Sequence, residues 1–198
     1  MTVAIRNPVF GAGLALALTM PIAVTAADAP SQRSDHAAQS YRPPYRQSTT
    51  LIEKVRHATY KYRDLKVALY EHWTPATPCV SGPNTGAMGV HFVLPERLGD
   101  AAVYANAPEA LIYEPQPDGS MRLVGVEFIL FAANWAAAHP EGGAPKLEGH
   151  LMNYVGAPNR YGLDAFYELH VWAWEDNPEG SFADWNTRVT CDNQPLDD

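Results

Sequence analysis

One helical stretch followed by four strand-like stretches is the feature that most constrains the fold of this 198-residue chain. The helix is predicted to begin at Thr50, because residues 50–53, TLIE, form a capping box. Apolar residues then recur at spacings of three and four, which is typical of an amphipathic helix with one buried face. We expect this helix to end near Trp73, before Pro75.

The four strand-like stretches cover residues 88–94, 110–114, 122–131 and 165–175. Asp118-Gly119 lies between the second and the third and predicts a hairpin turn. An alanine-rich stretch, 132–139, is interpreted as a short helix or an irregular strand end. The pattern predicts an α+β fold, with one long N-terminal amphipathic helix packed on a curved antiparallel sheet of about four or more strands. A β-sandwich with an added helix is the alternative.

The N-terminal residues predict export. Arg6 precedes an uncharged apolar run, 9–24, and small residues follow at 24–26, so residues 1–26 are interpreted as a signal peptide. The run is short and contains Pro21, which disfavours an uncleaved membrane anchor. Residues 27–49 are rich in proline, serine and glutamine and predict a flexible leader. Residues 50–198 are expected to form a single domain, in the periplasm or secreted.

Charge and cysteine content narrow the partners and the covalent chemistry. The formal net charge is −8 and no basic patch is present, which excludes nucleic acid and disfavours anionic lipid surfaces. Cys79 and Cys191 are the only two cysteines, and in an exported protein they are expected to form a disulfide. The alternative, a nucleophilic Cys79, has no supporting local motif.

Four titratable residues lie in the middle of apolar strands: His91, Glu114, Glu127 and His170. Such groups are rarely buried without partners, because leaving water uncompensated costs several kcal/mol. Two neutral imidazoles and a carboxylate are a ligand set for a divalent metal, zinc or non-haem iron. Strand alternation places both histidines on the less apolar face of their strands. They are therefore expected to share one surface, where the alternative to a metal site is an internal hydrogen-bonded network.

The hairpin discriminates between the two carboxylates. A two-residue turn pairs Ala110 with Glu127 and Glu114 with Leu123, which puts the two glutamates on one face, roughly 13 Å apart. That separation exceeds the roughly 5–9.5 Å of paired glycosidase carboxylates, so glycoside hydrolysis by this pair is disfavoured. A three-residue turn would put them on opposite faces. Glu127 is the preferred partner of the histidines, and His150 is a weaker additional ligand.

Aromatic residues support a second class of function. Trp172 and Trp174, with Tyr113, are predicted to form a flat apolar surface with polar edges for a glycan or other small molecule. A non-catalytic binding module is therefore the alternative to a metal site, and a purely structural exported protein is the third hypothesis. No reaction is predicted.

Three segments carry a family resemblance: PCVSGPNTGAMGVHFV, LIYEPQPDGSMRLVGVEFI and YELHVWAWEDNPEGSFADWNTRVTC. They span Cys79 to Cys191 and resemble a family of exported bacterial proteins without an established activity. The resemblance implies no function. The shared motifs do contain both cysteines and the four titratable strand residues, His91, Glu114, Glu127 and His170, whereas His150 lies outside them.

Overall fold

The computed structural model describes residues 50–194 of the chain. The predicted signal peptide and leader, residues 1–49, lie outside the described residues, as do residues 195–198. The helices in the described range are α1 (Leu51–Thr59), α2 (Leu65–Tyr70) and α3 (Ala132–Ala138), with 3₁₀ turns at Tyr60–Arg63 and Pro95–Arg97. The strands are β1 (Thr74–Pro75), β2 (Val80–Gly82), β3 (Gly86–Val93), β4 (Ala110–Pro115), β5 (Met121–Phe131), β6 (Lys146–Leu147), β7 (His150–Leu151), β8 (Asn153–Val155) and β9 (Phe166–Val171).

Seven of these strands form one antiparallel sheet in the order β1-β3-β4-β5-β9-β8, with β2 also paired to β3. The remaining two, β6 and β7, form a separate hairpin. This confirms the α+β class and the antiparallel sheet, and the alanine-rich stretch is helical, as α3. No helix in residues 50–194 is long and apolar enough to cross a lipid bilayer.

The prediction of one long N-terminal helix is wrong in one respect: the helical stretch is broken between Thr59 and Asp64. The capping box at Thr50 is present. The buried Thr59 hydroxyl, however, donates to the Val55 carbonyl, and the Asp64 side chain accepts from the Lys66 N–H and caps a new helix. Side chains that bond to nearby backbone groups compete with helix continuation, so the stretch becomes α1, a 3₁₀ turn and α2.

The apolar stripe of this helical stretch still packs against the sheet. Leu51, Val55 and Tyr62 are buried in one cluster with residues of β3, β4, β5 and β9. The Tyr113 hydroxyl of β4 donates to the Tyr62 carbonyl at 2.6 Å, which ties the helical layer to the sheet centre. One face of the sheet is thus covered by helices, and the titratable residues lie on the other.

The second sheet face is covered by the segment that follows β9. Trp172 and Val189 pack with Ala87, Ile112 and Val124 in a separate buried cluster. The Cys79–Cys191 disulfide joins the end of this segment to the residues before β2. The predicted disulfide is confirmed, and it is consistent with the predicted export.

The β4–β5 hairpin has a three-residue turn, with Gly119 at φ +79° in a conformation that suits glycine. Glu114 therefore pairs with Arg122, and the predicted pairing with Leu123 is wrong. A bulge that adds Val124 to β5 then shifts the register by one residue. The shift restores the predicted pairing of Ala110 with Glu127, so the two glutamates share a face after all.

The backbone of Val124 also contacts the segment that follows β9. Its carbonyl accepts from the backbone N–H groups of Trp174 and Glu175, both at 3.1 Å. The extra residue in β5 therefore holds the start of the segment that covers the second sheet face.

Candidate metal centre

Three strands bring His91, Glu127 and His170 together on the second sheet face. Glu127 pairs directly with His170 across β5 and β9. β3 carries His91 and is separated from β5 by β4, whose residue opposite Glu127 is Ala110. His91 pairs with Ile112, two residues along β4 from Ala110, so the long side chains of His91 and Glu127 meet diagonally across β4, and Ala110 adds only a methyl group to that face.

The three side chains are close and almost fully buried. His91 Nε2 lies 3.3 Å from Glu127 Oε2, and the His91 and His170 ring centroids are 5.9 Å apart with nearly perpendicular planes. One ligating atom from each residue lies within 4.8 Å of the others. A tetrahedral zinc ion with bonds of about 2.0–2.2 Å holds its ligands roughly 3.5 Å apart, so only a small contraction would be needed.

Thr77 orients the His91 ring. Its hydroxyl lies 3.3 Å from His91 Nδ1, and the same hydroxyl accepts from the His91 backbone N–H at 3.5 Å. With Nδ1 occupied by Thr77, Nε2 is the nitrogen that points at Glu127. Metal-binding histidines are held in the same way, with a polar partner on the nitrogen that does not bind the ion.

Burial leaves both imidazoles neutral. It lowers the pKa of His91 to about 4, and burial together with the neighbouring His91 lowers the pKa of His170 to about 3. The His91–Glu127 contact is therefore not an ion pair near neutral pH, despite its short distance. A neutral imidazole is the form that binds metal ions.

Two neighbouring carboxyl groups of the cluster, those of Glu127 and Glu168, have raised pKa values. Burial raises the pKa of Glu127, and the adjacent Glu168 raises it further. Burial also raises the pKa of Glu168, against the effect of its hydrogen bond with Glu127. Two buried carboxylates in contact cannot both ionise without a compensating charge, so the pair keeps one proton unless a cation replaces it.

A second set of ligating atoms adjoins the first. Glu168, His170 and Asp184 also offer atoms within 4.8 Å of one another. His170 Nδ1 lies 3.8 Å from Asp184 Oδ1, and the Asn153 amide donates to that carboxylate at 2.9 Å. Glu168 lies two residues before His170 and shares its strand face by alternation, but it was assigned no role from the sequence. Sequence reasoning missed Asp184, which lies in the irregular segment after β9 and has no spacing signal.

A cavity of about 80 Å³ opens beside His91 and Glu127. Thr77 and Tyr161 add hydroxyl groups near its polar end, and the rest of its wall is apolar. The Tyr161 hydroxyl has a weak partner, the Met88 sulfur at 3.4 Å. The apolar residues of the wall are Ala76, Val93, Ile129, Leu163 and Phe166.

The structure separates Glu114 and His150 from this cluster, so neither belongs to the predicted site. Glu114 bonds to the Arg122 guanidinium at 2.6 Å and accepts from the Thr190 N–H at 3.0 Å. It therefore anchors the C-terminal segment. His150 packs on Phe182, with ring centroids 3.9 Å apart.

The predicted aromatic surface of Trp172, Trp174 and Tyr113 is not formed. Trp172 is only 3% exposed and donates to the Ala183 carbonyl, and Tyr113 is fully buried under the helices. Trp174 is half-buried and donates to the Thr59 hydroxyl at 3.0 Å. β9 ends at Val171, so the alternation that would put both tryptophans on one face stops before them.

Comparison with known proteins found no matching protein-family model, no similar curated protein and no similar solved structure.

Proposed function

We propose that this protein binds a divalent cation, zinc or iron, through His91, Glu127 and His170, and that the ion faces the adjoining cavity. The observation that carries the proposal is the convergence of two buried neutral imidazoles and a buried carboxyl group on one sheet face. The ligand types match those of zinc and non-haem iron sites that keep open positions.

The charge balance supports a cation in this place. Glu127 and Glu168 are buried, and Asp184 is half-buried beside them. Among the described residues, no lysine or arginine forms an ion pair with any of the three. Buried carboxylates are usually compensated by a basic side chain or by a metal ion. A divalent ion would supply the missing positive charge.

The cavity supports a role beyond structural metal binding. Its polar end is formed by His91 and Glu127, so an ion held there would present an open position to the cavity. A metal in such a position polarises a bound oxygen atom and lowers the pKa of bound water. The apolar wall suits a small molecule that reaches the ion through an oxygen atom.

Metal analysis tests the proposal. Protein purified without chelators, then saturated with zinc and dialysed, is expected to retain at least one equivalent per chain. His91→Ala and His170→Ala should each lower the zinc content. His150→Ala is the matched control, because it removes a half-buried histidine outside the cluster, and it should retain the wild-type content. A wild-type protein with far less than one equivalent would overturn the proposal.

The same cavity favours a second candidate, metal-independent binding of a small apolar molecule. Its wall is mostly apolar, and its polar end offers the Tyr161 and Thr77 hydroxyl groups. Calorimetric titration of chelator-treated protein with hexanol would test this candidate. Binding that is unchanged by zinc and abolished by Ile129→Arg would support it over the metal site, and absence of binding would exclude it for this ligand class.

A further inference from the structure

We propose that the centre holds a second divalent ion, bound by Glu168, Asp184 and the His170 ring, so that His170 bridges two ions. This inference rests on the proposed binding of the first ion by His91, Glu127 and His170. It assigns a binding role to two carboxylates that the first ion does not use.

The second set has its own geometry. Its three ligating atoms lie within 4.8 Å of one another, the same limit that the first set meets. His170 Nδ1 faces Asp184 Oδ1 at 3.8 Å. Nδ1 therefore binds the second ion, and Nε2 remains for the ion held by His91 and Glu127.

The His170 ring supplies an independent observation. The side chain is 1% exposed, and within residues 50–194 neither of its nitrogen atoms has a hydrogen-bond partner. Buried imidazole nitrogens are nearly always satisfied, because an unmet donor or acceptor loses its hydration without replacement. Two metal bonds, one to each nitrogen, would satisfy the whole ring.

Charge and proton balance are consistent with two ions. When both bind, the His170 ring releases its remaining N–H proton to solvent, and the proton between Glu127 and Glu168 also leaves. Two divalent ions then bring four positive charges. Glu127, Glu168, Asp184 and the His170 imidazolate bring four negative charges, and His91 remains neutral.

Asp184 is held in position from outside the cluster. The Asn153 amide of β8 donates to its carboxylate at 2.9 Å. Supporting hydrogen bonds of this kind orient metal-binding carboxylates. Asp184 also belongs to the segment that the disulfide closes, so the second ion would join that segment to β9.

Cobalt titration of chelator-treated protein tests the inference, because Co²⁺ gives visible absorbance when bound to nitrogen and oxygen ligands. The wild-type protein is expected to bind two equivalents, and Asp184→Asn one. His91→Ala should also bind one, at the set that remains. His150→Ala should bind two. Circular dichroism of each variant checks that it is folded.

The outcomes separate the two proposals. One equivalent in the wild-type protein, unchanged in Asp184→Asn and lost in His91→Ala, would overturn the second ion and leave the first. Two equivalents that persist in Asp184→Asn would overturn the assigned ligands. No binding in the wild-type protein would overturn both proposals. Asp184→Asn keeps the shape of the side chain and removes its charge. Glu168→Gln does the same at the other carboxylate, so this second variant should also bind one equivalent.

Discussion

The imidazole rings of His91 and His170 lie 5.9 Å apart at nearly right angles, on strands that are separated by two others. No hydrogen bond joins the two rings among those of the described residues, and both rings are neutral because they are buried. Such a pair costs free energy to bury and gives little in return on its own. The proposed metal centre would account for that cost.

The small side chain of Ala110 should be essential to the site. Ala110 is fully buried on the same sheet face, opposite Glu127 on one side and Val93 on the other, so Ala110→Val adds two methyl groups beside the Glu127 side chain. We expect zinc affinity to fall at least about tenfold and stability to fall by about 1–3 kcal/mol from overpacking. Calorimetry and urea unfolding measure the two effects. Ala136→Val, on the exposed side of α3, is the control and should change neither by a comparable amount.

The Thr77 hydroxyl should strengthen metal binding through the His91 ring. Thr77→Val keeps the shape but removes the partner of Nδ1. Zinc affinity is expected to fall about 10–100-fold, the usual effect of losing a supporting hydrogen bond. Competition with a chromophoric chelator measures the affinity, with Thr187→Val, at an exposed threonine, as the control. Equal affinities for the two variants would show that Thr77 does not orient the ring.

Loss of the disulfide should affect the second ion more than the first. Cys79→Ala/Cys191→Ala removes a bond that closes a loop of 112 residues, for which chain entropy predicts a loss of about 4–5 kcal/mol. The freed segment carries Asp184 but none of His91, Glu127 and His170. We expect urea unfolding at lower concentration and cobalt binding reduced from two equivalents to one. Loss of both equivalents in a folded variant would contradict this separation.

Glu109 should make the protein less stable as the pH rises. Burial raises its pKa to about 8, although its carboxylate accepts from the Ile129 N–H at 3.0 Å. A folded-state pKa above the unfolded value means that the stabilising contribution is complete below about pH 4.5 and is lost as the pH rises through 8. The slope is at most about 1.4 kcal/mol per pH unit.

Glu109→Gln keeps the acceptor for Ile129 and removes the titration. Its stability relative to the wild-type protein should therefore increase between pH 5 and pH 8. Urea unfolding of both proteins at pH 5, 7 and 9 measures the difference, in which the other titratable groups largely cancel. A difference that does not change with pH would show that Glu109 is already ionised at pH 5.

Much of the centre follows from strand alternation. The apolar patterns around His91 and His170 predicted that both rings lie on the less apolar face of their strands and share one surface, and the structure agrees. The pairing of Ala110 with Glu127 was predicted from a two-residue turn and arises instead from a longer turn offset by the Val124 bulge. The three-residue turn shifts the strand register by one residue, and the Val124 bulge shifts it back. The pairing of Glu127, which lies beyond the bulge, is therefore as predicted, whereas the pairing of Glu114, which lies before it, is not.

What alternation cannot predict is the path of the chain beyond the strands. Asp184 reaches His170 only because the segment after β9 turns back over the sheet and is closed by the disulfide. The same turn buries Trp172, which the pattern placed on an exposed face. The break after Thr59 also depends on tertiary context, because the hydroxyl there accepts from the distant Trp174.

The most direct test of the central claim is anomalous diffraction at the zinc edge from crystals soaked in zinc. The account predicts a peak bound by His91 Nε2, a Glu127 oxygen and a His170 nitrogen, at distances of about 2.0–2.2 Å. Zinc found only on surface residues such as His57, with the His91 and His170 rings still 5.9 Å apart and without an ion between them, would contradict it.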